Sequence, residues 1–107
     1  MIIMSDKIFT INEIKDIVFP IAIKYDVDRV FLFGSYAKGS ANAGSDLDFI
    51  IDKGRLRGLK FAGMLGDLQD RFGKNIDLLT SSSLMNDDGY SNFKKTIEKD
   101  KIVIYEQ

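Results

Sequence analysis

Residues 31–52, Phe31-Leu32-Phe33-Gly34-Ser35-Tyr36-Ala37-Lys38-Gly39-Ser40-Ala41-Asn42-Ala43-Gly44-Ser45-Asp46-Leu47-Asp48-Phe49-Ile50-Ile51-Asp52, decide how the chain reads. The run Arg29 to Phe33 is almost wholly apolar and stops at Gly34, which suits a buried strand. Leu47 to Ile51 is a second strand, with carboxylates at its start and Asp52 at its end. Between them lie three Gly and three Ser, the composition of a turn-rich loop, with room for a short helix after Gly34.

Side chains alternate along a strand, so Asp46 and Asp48 share one face while Leu47, Phe49 and Ile51 share the other. Two like charges on one face repel, and one carboxyl should rise in pKa. A divalent cation with oxygen ligands removes that conflict, and Mg²⁺ suits it because it keeps waters and takes substrate phosphate oxygens as further ligands. Gly34 allows close backbone approach to a ligand and Ser35 adds a hydroxyl. A helix starting there would favour a phosphate. A phosphate seat thus precedes a metal seat, the unit that a metal-bound nucleoside triphosphate requires.

A third acid completes the set. Asp77 interrupts the apolar strand Asn75 to Leu79, where a carboxylate is costly unless paired or metal-bound. If that strand neighbours the second one, Asp77 joins Asp46 and Asp48. Three acids can hold two Mg²⁺ ions for an in-line phosphoryl displacement. Asp77 is then the natural base for an acceptor hydroxyl, because the chain has no His.

Composition narrows the chemistry further. The 107 residues contain no Cys, His or Trp, which removes disulfides, thiolate nucleophiles and imidazole proton shuttles. Net charge is −1, so no basic excess points to direct nucleic-acid binding. No apolar run approaches a membrane span, and the opening Met1 to Phe9 is too soon charged for a signal peptide. The expectation is a cytoplasmic protein with one domain over residues 1–107, long enough to bury a core without staples.

Around this centre the pattern predicts an α/β (α+β) fold with a mixed sheet of three or four strands backed by helices. Thr10 and Glu13 form a capping box for a helix over 11–24, with Pro20 expected to kink or break it. A second helix runs from Leu56 to Phe72, weakened by Gly63 and Gly66 and stopped by Gly73. Residues 80–91 read as a polar loop, 92–100 as a short helix and Ile102 to Tyr105 as a last strand.

The stretch FLFGSYAKGSANAGSDLDFIID resembles the signature of the nucleotidyltransferase superfamily related to DNA polymerase beta. Gly-Ser, ten residues and Asp-x-Asp match in spacing, and Asp77 matches the third acid. The size is similar to that of the minimal nucleotidyltransferase (MNT) family. The resemblance implies a polymerase beta-like palm, ATP as substrate and two Mg²⁺ ions held by Asp46, Asp48 and Asp77. Asp77 would also activate the acceptor, and Gly34 and Ser35 would hold phosphate. Lys38 stands where the family usually has Arg, and keeps the charge without the bidentate fork. Lys38 and Ser45 complete the nucleotide-binding set, against the plainer readings of a solvated lysine and a serine bonded to local backbone. Tyr36 and Met64 read as packing residues, and Asp52 as a solvated strand end.

MNT proteins are often paired with a helical HEPN-family toxin. The resemblance therefore implies an antitoxin that moves AMP onto a Tyr of that partner. The alternatives are an aminoglycoside-type nucleotidyltransferase and a non-catalytic antitoxin that acts by contact. A domain this small offers one wall for a nucleotide, so a partner chain or a homodimer is expected to close the site.

Overall fold

The computed structural model describes residues 7–52, 54, 56–81 and 101–107. The helix expected over 92–100 and most of the 80–91 loop lie outside the described residues. The described elements are α1 (Ile11–Tyr25), β1 (Arg29–Phe33), α2 (Gly34–Lys38), β2 (Leu47–Asp52), α3 (Leu59–Phe72), β3 (Ile76–Thr80) and β4 (Ile102–Glu106). The strands form one mixed sheet in the order β3-β2-β1-β4. β1 is antiparallel to both β2 and β4, whereas β2 and β3 are parallel and joined by the crossover through α3.

Alternation along the strands sorts the two faces. Val30, Leu32, Leu47, Phe49, Ile51, Ile76 and Leu78 are buried on the face that α1 and α3 cover. The helices contribute Ile14, Val18, Ile21, Ala22, Met64, Leu68 and Phe72 to the same core. Phe72 ties the layers together, its ring centroid 5.1 Å from Phe9 edge-on and 6.0 Å from Phe49. The other face carries Asp48, Asp52, Asp77, Arg29 and Phe31 (the acid face below).

The capping box forms as expected: the Thr10 hydroxyl accepts from the Glu13 N–H, and the Glu13 carboxylate accepts from the Thr10 N–H. Pro20 does not break α1, which continues to Tyr25. Both Pro20 and Asp16, the residue whose carbonyl loses its partner, lie on the exposed side. Water can satisfy that carbonyl while Val18, Ile21 and Ala22 hold the helix to the sheet.

α3 begins at Leu59 rather than Leu56. Gly58 (φ 54°, ψ −123°) is far from helical geometry, so the helix starts after it. Leu56 is nonetheless a core residue, 1% exposed, held there from the preceding loop. No helix among the described residues is long and apolar enough to cross a membrane.

Phe49 is fully buried beside Asp48 and braces β2 against Phe72. Phe49→Ala is expected to lower unfolding free energy by about 3–5 kcal/mol, read from urea denaturation midpoints at constant m-value.

Candidate active site

The parallel register of β2 and β3 sets Asp48 directly beside Asp77. Both point away from the core, because Leu47 and Phe49 on one strand and Ile76 and Leu78 on the other are buried on the helix side. Asp77 is exposed and Asp48 half-buried. Burial pushes the Asp48 carboxyl up, and a hydrogen bond to Asp77 and the charges of Asp77 and Asp46 push it the same way, to about 6. The acid spacing predicts a rise caused by Asp46; burial is instead the largest cause, Asp77 the next and Asp46 the least.

Asp46 precedes β2 and is exposed at the end of the connecting loop. Among the described residues, no three acids are drawn close enough to hold a cation as they stand. The structure therefore brings Asp48 and Asp77 together, with Asp46 near enough for its charge to reach Asp48.

Gly34 explains how the turn after β1 and the acid strand come so close. Its φ of 72° lies in the left-handed region. A Cβ built on it would fall 2.2 Å from Asp48 Oδ2, so the Asp48 carboxylate occupies the space a side chain would need. The chain then enters α2, whose first residues, Gly34 and Ser35, follow the end of β1. Gly39 closes this helix with φ 77°, its N–H directed to the Ser35 and Tyr36 carbonyls.

The loop back to β2 is fastened at several points. Ser40 N–H donates to the Ser35 carbonyl (2.9 Å). Ser45 Oγ accepts from the Asn42 N–H (2.9 Å), and Asn42 Oδ1 accepts from the Gly44 N–H (2.9 Å). Ser45 is thus engaged with local backbone. Lys38 is exposed at the end of α2. Tyr36 is a core residue, 5% exposed, in agreement with the packing reading. Asp52 is not simply solvated, since its carboxylate accepts from Arg29 Nε (2.8 Å) at the far end of the acid face.

One contributor escaped the sequence. Lys74 is only 4% exposed, and its ammonium donates to the Ala43 carbonyl (2.9 Å), pinning the loop that delivers Asp46 to the start of β3. The Leu47 N–H to Asn75 carbonyl bond (3.2 Å) secures the same junction. A lysine in a Gly-Lys-Asn turn carries no sequence signal of burial, because its role depends on a loop 31 residues away.

The family model described as Polymerase beta, Nucleotidyltransferase matches residues 12–107. A proposed protein adenylyltransferase of Methanocaldococcus jannaschii is 36% identical over 75 residues, covering 69% of this chain and 81% of its own length. A second from the same organism is 35% identical over 100 residues, covering 89% and 98%. Among solved structures, a toxin–antitoxin crystal structure with AMP-PNP superposes with a TM-score of 0.68 at 14% identity, covering 87% of this chain and 73% of that one. The last likeness is one of fold.

The raised Asp48 carboxyl has a stability consequence. Its folded pKa exceeds its unfolded value, so the folded state takes up a proton first as pH falls, and the charged form costs stability above about pH 6. In chelator, Asp48→Asn should stabilise the fold at about pH 8 by on the order of 1 kcal/mol, after allowance for solvent screening. That gain should shrink as pH falls through 6 towards 4. Thermal melts across this range check it, and a gain independent of pH would contradict it.

Proposed function

The chain belongs to the Polymerase beta nucleotidyltransferase family, and from that premise we propose that it transfers AMP from ATP to a hydroxyl of a protein partner. The observation that carries this reading is the Asp48–Asp77 carboxyl pair packed against the Gly34 turn. The resemblance to protein adenylyltransferases favours AMP and a protein acceptor. The toxin–antitoxin likeness in fold suggests the context of an antitoxin, and the resemblance of the sequence to the MNT family adds a Tyr of a HEPN-family toxin as the acceptor.

Carboxylate oxygens forced together suit a hard cation, and the conflict at Asp48 is the kind that cation binding relieves. Asp46, Asp48 and Asp77 would hold Mg²⁺, which when bound supplies positive charge to the phosphate oxygens and to the leaving group. Gly34 and Ser35 would receive the phosphates at the end of β1, with Lys38 one turn further on.

Asp77, exposed at the sheet edge, would accept the proton of the acceptor hydroxyl. The freed oxygen forms a bond to the α-phosphorus. The bond from that phosphorus to the bridging oxygen of the β-phosphate breaks, and pyrophosphate leaves with the electron pair. Exposure of Asp46 and Asp77 leaves space for the acceptor to approach, so a second chain would complete the site.

The test is transfer of α-labelled phosphate from ATP, with Mg²⁺, to a HEPN-family protein encoded beside this chain. Label on a Tyr of that protein is expected, and the Asp46→Asn/Asp48→Asn double variant should lose at least about 100-fold in rate. An unlabelled partner, or equal labelling by the double variant, would refute the reading. Unchanged neutralisation by that variant would favour inhibition by contact alone.

A further inference from the structure

The register of the sheet maps the acid face beyond the carboxylates. β1 sets Phe33 opposite Asp48. On its other side, β1 pairs Leu32 with Ile102 of β4, so Lys101 follows one step further, beside Phe33. One row across the sheet therefore reads Asp77, Asp48, Phe33, Lys101. Ile102 packs on the helix-side core, so alternation turns Lys101 to the acid face. Its ammonium confirms this, standing 4.7 Å from the ring centroid of Phe31. Phe31 itself points away from the core, between the buried Val30 and Leu32.

Lys101 is separated from Asp48 by two strand spacings, about 10 Å. Between them β1 ends and Gly34 and Ser35 begin α2. Two other basic groups near this face are committed. Arg29 is paired with Asp52 at the far end, and the Lys74 ammonium is bonded to the Ala43 carbonyl. Lys101 is exposed and makes no ion pair among the described residues.

We propose that Lys101 binds the β- and γ-phosphates of the nucleoside triphosphate, which lies across the Gly34–Ser35 turn with its α-phosphate at the acids. The proposal rests on the nucleotidyl-transfer reading and adds the direction in which the substrate lies. Towards β3 the row ends in Asp77, which offers a polyphosphate tail no positive charge of its own. Towards β4 it ends in a positive charge. The tail therefore crosses β1, and Lys101 meets the pyrophosphate as negative charge grows on it. A lysine suits this as a point charge, and its contact with the Phe31 ring holds the ammonium over the face before substrate arrives.

Calorimetric titration of Lys101→Met and Lys101→Arg with AMP-PNP and with AMP, in Mg²⁺ buffer, tests it. Lys101→Met should weaken AMP-PNP about tenfold, the scale of one charge-assisted contact, and leave AMP within about twofold. Lys101→Arg should restore most of the AMP-PNP affinity. Equal losses for AMP and AMP-PNP, or no loss for either, would overturn the assignment. A parent chain that binds neither nucleotide, alone or with its partner protein, would overturn the nucleotidyl-transfer reading as well. Full AMP-PNP affinity in Lys101→Met, with the acids intact and transfer retained, overturns the role of Lys101 alone.

Discussion

Two carboxylates stand side by side because the parallel pairing of β2 with β3 leaves them nowhere else to go. The register is fixed from behind. Leu47, Phe49 and Ile51 on β2, with Ile76 and Leu78 on β3, are buried against α1 and α3. A slip of one residue in either strand would turn its apolar set to the other face and bury its acid in the core. The hydrophobic effect thus enforces an electrostatic conflict that neither strand would adopt alone. The Asp48 carboxyl is raised first by its burial and then by this conflict.

The same constraint explains the Gly34 turn. A left-handed residue at the end of β1 can be accommodated by Asn or Asp at modest cost. Here a Cβ would fall 2.2 Å from Asp48 Oδ2, so any side chain at this position has to push the Asp48 carboxylate aside. The close approach serves both partners. It lets the backbone at Gly34 and Ser35 lie beside the acid pair, and it walls off one side of the Asp48 carboxylate. Lys74 acts on the third side of this arrangement, tying the incoming loop to the strand that carries Asp77.

Much of this was legible in the chain because it depends on local pattern. Apolar alternation separated Asp48 from Leu47 and Phe49, and Thr10 and Glu13 announced the start of α1. Asp77 stood out as the one charge in an apolar strand. Other features depend on distant contacts and left no local trace. Pro20 is a helix breaker by propensity, yet its place on the exposed side of α1 lets packing override it. Leu56 fits the helical period of α3, but Gly58 ends the helix before reaching it. The burial of Lys74 and the position of Lys101 follow from which segments the sheet makes neighbours.

The order of strands gives the acid face its polarity. With β1 in the middle, the Gly34–Ser35 turn at its end falls between the acid strands on one side and β4 on the other. Negative charge is therefore concentrated towards β3 and positive charge is available at the start of β4. The ends of a polar ligand would find different environments at the same level of the sheet. A sheet with β4 beside β3 would place Lys101 next to Asp77, where the two would neutralise each other as a structural ion pair. Keeping them apart across β1 leaves both charges available, and it makes the separation of the strands part of the chemistry of the site.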